Sequence, residues 1–438
     1  MHIASDYGRH GKTPGYQDSF DEGWNRNVPV NHRAKFISAG LVVLCLFARS
    51  ALSHGIQDED APRLDLKSIP ISDWLNAGEQ EQIPWDLRIT DPYLRVDQRL
   101  EMSYFVRING RDLNRAGKTH ELFFVARVSS PDGEWLEQPN VTRYAIEKEL
   151  PKSTQAQFLM RVCVQPGDYV LWLVLYDRAT GKHNVAKRRV RVPEMRGDPL
   201  PDLYRHLPLV EFPQVDESSP EKLGFVKGQL YLPVRNKHAL DVELISTLSP
   251  PEQWTGRTRV LRTHNADTIG ALAALSQIEL AAGSVSITGL DLVRHQVQFE
   301  QRGIRGVNWP SLMEALKKAQ SPAVSAKALE GSKNNGAFFR EFLNQRISVE
   351  GTASNPMRVI IVVTSSQLFQ RGADLAPLQV EGDCKCRVYH LRFRLNMADV
   401  FDEIEKIIKP LHPRTFNLLT PRDLRKAIAD IVSDLEKL

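Results

Sequence analysis

Apolar positions along this chain change their period near residue 225. Between Pro84 and Pro193 they alternate with polar ones, over Leu100–Ile108, His120–Val128, Phe158–Val164, Tyr169–Tyr176 and Val185–Val192. Alternation of this kind marks strands that pack one face on a core and turn the other to water. Asn109-Gly110, Pro131-Asp132-Gly133, Pro166-Gly167-Asp168 and Thr180-Gly181 supply turns between them. The spacing predicts an all-β sandwich of about seven strands. Residues 54–83 before it are polar and read as a flexible lead-in. Residues 194–224 after it carry Pro199, Pro201, Pro208, Pro213 and Pro220 and read as a semi-rigid linker.

Beyond Phe225 strands and helices alternate. Leu240–Thr247 reads as a buried strand, and Asp267–Leu280 as an amphipathic helix with Asp267 as its N-cap. Ser284–Leu290 and Gln296–Glu300 read as adjacent strands. Asn308–Ala319 and Gly336–Arg346 are helical patterns, the first with Pro310 in its opening turn. Met357–Thr364 is a β-branched run fit for a central parallel strand, and Arg387–Phe393 is a further strand. Ala398–Ile408 and Pro421–Leu435 close the series as helices. The expected fold is multidomain: an N-terminal all-β sandwich over 84–193, then a doubly wound α/β sheet over 225–438.

Composition adds an address and removes some partners. Phe36–Phe47 is a short apolar run after His32, Arg33 and Lys35, with Ala51-Leu52-Ser53 behind it. A basic flank, a short apolar stretch and a small-x-small end make a secretory signal peptide within residues 1–53. The run is short for a membrane span, so the expected location is periplasmic or secreted, with anchoring through residues 36–47 as the alternative. Lys and Arg number 57 against 53 Asp and Glu, a net charge of +4, which points to no nucleic acid partner. Four cysteines are too few for a disulfide framework.

The order of elements over Ala239–Leu438, with the Gly331-Ser332-Lys333-Asn334-Asn335-Gly336 loop entering a helix, resembles a von Willebrand factor A-like domain. The Pro166-Gly167-Asp168-Tyr169 turn feeding Val170–Leu173 resembles the corner before a late strand in immunoglobulin-like folds. Together with the leader, these features are similar to bacterial exported proteins related to von Willebrand factor A. That resemblance implies a divalent cation at the carboxyl ends of the strands, held by an Asp-x-Ser-x-Ser motif, a Gly-Thr loop and a later Asp. This chain departs from the pattern. Thr247 stands where the first Asp would be, Ser249 keeps one hydroxyl, and Pro251 replaces the last Ser. Ser332 matches the loop hydroxyl, and Ser365 replaces the later Asp. Magnesium sheds water reluctantly and wants carboxylates, so neutral oxygens predict no metal and no cofactor. The same hydroxyls also suit plain loop capping.

Other chemistry is thin. Cys384, Cys386 and His390 share one strand face as a three-ligand metal alternative, but structural zinc usually takes four ligands, and burial explains them as well. Among the common catalytic motifs, Gly-x-Ser-x-Gly, His-Glu-x-x-His and the Walker phosphate loop are missing. The expected function is therefore a non-catalytic exported protein that binds another protein of the envelope or exterior. Its expected contact rim is Thr247, Ser249, Ser332, Asn334, Ser365 and Ser366. The second expectation is a secreted hydrolase or carbohydrate-active enzyme with facing carboxylates between the domains. The third is a structural envelope component.

Overall fold

In a computed structural model of the chain, the described residues are 69–215, 224–250, 258–320, 334–347, 356–367, 369, 375–379, 386–394 and 402–438. The leader expected at 1–53 lies outside them. The fold is mixed α/β with several sheets.

The first half supplies ten short and long strands. They are β1 (Gln80–Glu81), β2 (Asp86–Ile89), β3 (Tyr93–Leu94), β4 (Leu100–Asn109), β5 (His120–Ser129), β6 (Asn140–Ile146), β7 (Gln155–Val164), β8 (Gly167–Asp177), β9 (His183–Val192) and β10 (Val210–Glu211). One sheet has the order β1-β9-β8-β5-β6, and the other the order β10-β7-β4-β2 with β3 paired to β4. Each of these pairs is antiparallel. Leu122, Phe124 and Val128 of β5 and Leu171 and Leu173 of β8 share one core with Met102, Tyr104 and Val106 of β4 and Phe158, Met160 and Val162 of β7. Alternation thus puts one side of each sheet into a common dry layer.

Two local expectations change here. The described end of the lead-in is ordered: α1 (Ile71–Ala77) lays Ile71 and Leu75 on the outer face of the first sheet, against Val125, Val174 and Val185. Their four-residue spacing gives the helix one apolar side, which outweighs its polar composition. Asn109-Gly110 opens α2 (Gly110–Ala116) instead of making a tight turn. The Gly110 amide donates to the Thr154 carbonyl at 2.7 Å, which fixes the chain for a helical start.

The second half is organised by a six-stranded sheet of β14 (Leu240–Thr247), β16 (Gly283–Asp291), β17 (Gln296–Gln301), β18 (Met357–Ser365), β19 (Cys386–Phe393) and β20 (Arg414–Leu418). Before and beside it lie the short β11 (Gln214–Val215), β12 (Gly224–Phe225), β13 (Leu232–Val234) and β15 (Ile278–Leu280). The sheet order is β17-β16-β14-β18-β19-β20, parallel throughout except for the β16–β17 hairpin. Helices α3 (Thr258–Leu275), α4 (Trp309–Gln320), α5 (Asn335–Ile347), α6 (Glu403–Ile408) and α7 (Pro421–Leu435) flank it. Apolar residues of α3, α4 and α7 join one core, and those of α5 and α6 another. Val242, Leu244, Val359 and Ile361 face the first core, and Ile245, Ile360 and Val362 the second. Burial on both faces is why β18 carries the unbroken apolar run Val359–Val363, whereas β14 places Asp241 and Glu243 on one face.

Three expectations shift. Asp267 is not an N-cap but lies inside α3, because the helix starts nine residues earlier, at Thr258. The stretch expected to extend that helix to Leu280 turns instead into β15, paired in parallel with β13. β20 is an extra edge strand, five residues long.

The segment read as a linker is packed. Leu203 is 1% exposed and belongs to the core beneath α7, with Leu200, Tyr204 and Leu207 packed against it. Arg425 of α7, 1% exposed, clamps this segment. Its Nε donates to Asp198 at 2.6 Å, a second guanidinium nitrogen bonds the other Asp198 oxygen, and Nη1 reaches the Tyr204 hydroxyl at 3.2 Å. The tip of the β3–β4 hairpin closes the other side of the seam. Gln98 donates to the Pro421 carbonyl at 3.1 Å, and a Cβ on Gly270 of α3 would sit 2.8 Å from Val96. Consistent with these contacts, the described residues belong to one compact unit. Arg425→Met leaves the Asp198 carboxylate without its cation and should cost about 3 kcal/mol in urea unfolding, whereas a loss under about 1 kcal/mol would show that the clamp matters little.

Candidate functional site

The carboxyl ends of β14 and β18 lie side by side, with Ser246 paired to Val363. This places Thr247 and Ser249 beside Ser365 and Ser366, as the spacing suggested. All four are enclosed, at 2% exposure or less. Asn334 is exposed at the foot of α5, next to the buried Asn335. Ser332 lies outside the described residues.

Each hydroxyl has its own situation. Ser249 Oγ accepts from the Leu292 amide at 3.0 Å and ties the end of β14 to the end of β16, which is the loop-capping role. Ser365 Oγ is hydrogen-bonded to Nδ1 of His264, which α3 brings in from 101 residues away in the chain. Thr247 Oγ1, Ser246 Oγ and, from α3, Thr268 Oγ1 are buried without a hydrogen-bond partner. Asn335 Oδ1 accepts from His295 Nε2 at 2.8 Å.

Burial sets the charges. It lowers the His264 pKa to about 4. It lowers that of His390 to about 3, with the Arg392 charge adding to the effect. Both imidazoles are neutral at pH 7. Burial pushes Asp402 up to about 7, even though its Oδ1 accepts from the Gln367 and Ile404 amides. Asp267, half-buried and one turn along α3 from His264, is likewise pushed up to about 7 by desolvation. His390 Nε2 sits 3.0 Å from Thr364 Oγ1 and 3.5 Å from Asp402.

This set does not fit the implied divalent cation. The oxygens at the ends of β14 and β18 are alcohols, and the imidazole beside them contributes no negative charge. Asp291, at the end of β16, is committed to Arg294 at 2.7 Å and to the Val293 and Arg294 amides. A hard cation stripped of water needs carboxylates to compensate. Ser365 and His264 have the parts of a nucleophile and its base. A base with a pKa near 4 is far from its operating range, however, and the hydroxyl is only 1% exposed.

The cysteine alternative also changes. Cys386 is disulfide-bonded, and Cys384 lies outside the described residues. His390 is four strand positions further on, about 13 Å at strand spacing, and is turned to Thr364 and Asp402. Among the described residues, Cys386 and His390 are not gathered into a metal-ligand group.

The residues that sequence reasoning passed over are His264, Asp267, Thr268 and Asp402. His264, Thr268, Ala271 and Leu275 recur at helical spacing, which was the available signal.

Two measurements test this picture. Thr247→Val replaces an unsatisfied buried hydroxyl with a methyl of the same shape, so chemical denaturation should show a gain of about 1 kcal/mol; a loss of that size would mean the hydroxyl has a partner. His264 takes up its proton near 6.5 when unfolded but only near 4 when folded. Its contribution is therefore complete above the unfolded value and is lost as pH falls from 6.5 toward 4. The stability advantage of wild type over His264→Gln should shrink between about pH 7 and about pH 4.5, and a constant difference would contradict the buried neutral imidazole.

No family model matches this chain, and no curated protein does. Among solved structures it is similar to a von Willebrand factor type A protein from Catenulispora acidiphila, at 9% identity and a TM-score of 0.25, over 52% of this chain and 45% of that one. It is also similar to a family 123 glycoside hydrolase from Clostridium perfringens, at 7% identity and a TM-score of 0.25, over 76% and 72%. A β-glucosidase from Listeria innocua in complex with glucose matches at 8% identity and a TM-score of 0.17, over 26% of this chain and 17% of that one. Likenesses of this size decide neither the fold nor the function.

Proposed function

We propose that this is a non-catalytic exported protein that recognises or assembles with another protein, built on a metal-free von Willebrand factor A-like half. The observation that carries the reading is the chemistry at the carboxyl ends of β14 and β18. Thr247 and Ser365 occupy the two positions where the resemblance calls for metal-binding Asp residues, with Ser249 and Ser366 as further buried hydroxyls and an imidazole held neutral. The sheet order supports the scaffold. One antiparallel hairpin strand sits at the edge of an otherwise parallel sheet, in the doubly wound order 3-2-1-4-5-6.

In this reading the paired antiparallel sheets are an immunoglobulin-like spacer. Export rests on the Phe36–Phe47 leader; among the described residues no helix is long and apolar enough to cross a membrane. The enclosed hydroxyls hold the strand ends, and Asn334 is the exposed member of the set. The hydrolase reading needs two facing carboxylates at the seam between the halves. Of the carboxylates that line a cleft there, Asp97 is bound through both oxygens to Arg95, at 3.0 and 2.7 Å, which disfavours it as an acid or base.

Calorimetric titration with magnesium chloride and calcium chloride should give no affinity tighter than about 1 mM; sub-millimolar binding would overturn the metal-free scaffold. In pull-downs from native envelope, Asn334→Ala should lower capture of the same partner about tenfold at an unchanged melting temperature. Equal capture by wild type and variant would remove this end of the sheet as the contact.

A further inference from the structure

A second site stands apart from the carboxyl ends of the strands. Where the β3–β4 hairpin tip meets the segment around Gly228, the end of α3 and the start of β16, the fold forms an open cleft of about 730 Å³. That size is typical of small-molecule sites. Its lining combines Arg99, Lys227 and Arg305 with Asp97 and Glu279, and the remaining wall mixes aliphatic side chains such as Ile278, Val285 and Ile304 and the indole of Trp309 with polar groups such as Gln229 and Ser284.

Arg99 is the unusual member. It is 3% exposed, yet its guanidinium is poorly met. One nitrogen donates to the Gly228 carbonyl. Nε lies 3.5 Å from Glu211, whose other oxygen accepts from the Gly228 amide at 2.6 Å. Neither Nε nor Nη1 has a hydrogen-bond partner. Arginine carries five donors in a fixed fork and cannot give up its charge, so unmet donors in a dry place are costly. The charge balance of the lining points the same way. Asp97 is committed to Arg95. Lys227 and Arg305 are exposed, and among the described residues neither makes an ion pair. Arg99 has Glu211 at 3.5 Å, and Glu279 is left against Lys227 and Arg305.

We propose that this cleft binds a small organic anion, a carboxylate or phosphate carried on an apolar body, with Arg99 seating the anionic head and Trp309 and its aliphatic neighbours covering the body. A planar, two-oxygen head suits an arginine fork better than a point charge does. Lys227 and Arg305 add attraction at the exposed part of the lining.

The test is calorimetry on the full chain with three probes of similar body: 3-phenylpropionate, phenyl phosphate and the uncharged 3-phenylpropan-1-ol. At least one anion should bind 1:1 with a Kd below about 1 mM, and the alcohol at least about tenfold more weakly. Preference between the two anions assigns the head group. Arg99→Met should abolish binding. Because that change touches a buried group, the exposed pair Lys227→Glu with Arg305→Glu provides the second reading: binding should weaken about tenfold at an unchanged melting temperature. Equal binding of the alcohol, no saturation by either anion up to about 10 mM, or full binding by the Lys227→Glu, Arg305→Glu variant would each overturn the proposal. None of these outcomes depends on metal or partner binding at the ends of β14 and β18.

Discussion

Water is kept away from the carboxyl ends of the two central strands, and the chemistry open to this protein follows from that exclusion. In a dry site a charge is expensive unless it is paired. The groups gathered there are accordingly ones that can stay neutral: alcohols on Ser246, Thr247, Ser249 and Ser365, and the imidazoles of His264 and His390. Asp402 is present, but burial raises its pKa and its lone pairs cap the Gln367 and Ile404 amides. Burial of this kind disfavours both a bare cation and a general base held near neutral pH at the described ends of β14 and β18.

Charge is instead concentrated at the seam between the two halves. Arg425 and Arg99 are both nearly fully buried guanidinium groups, but they differ in how well they are met. Arg425 has Asp198 on two nitrogens, Tyr204 on a third and the Leu200 carbonyl besides, which makes it a structural clamp. Arg99 has one backbone carbonyl and a distant carboxylate. A well-met buried arginine fixes geometry, and a poorly met one beside a cleft is a place for a ligand to gain affinity. The hairpin tip that carries Arg99 is itself held in place by Gln98 and by the close approach of Val96 to Gly270, a position where any side chain would collide.

Much of the fold could be read from the chain because its strongest elements carry several signals at once. β14 matches the expected Leu240–Thr247, where Leu240, Val242 and Leu244 alternate; α7 matches Pro421–Leu435, where Pro421 opens the helix and Thr420 with Asp423 forms a capping box. Elements that depend on tertiary contacts escaped. β20 is a five-residue edge strand with only Leu418 buried. The first turns of α3 are polar, so the helix seemed to start at Asp267. The supposed linker has the prolines of a spacer, but its leucines lie in a core that sequence alone does not locate. For the site, the hydroxyl positions were legible from their place after the strands. Their partners were not, since His264 and Ser365 lie 101 residues apart, and nothing local ties Gln98 to Pro421 across 323.

The central claim is that the carboxyl ends of the strands are dry and uncharged. It is tested most directly by an NMR titration of the twelve histidine side chains between about pH 3.5 and about pH 8, before the fold is lost. The rings of His264 and His390 should remain neutral well below pH 5. If every histidine instead takes up its proton between about 6 and 7, water reaches that end of the sheet and the account fails.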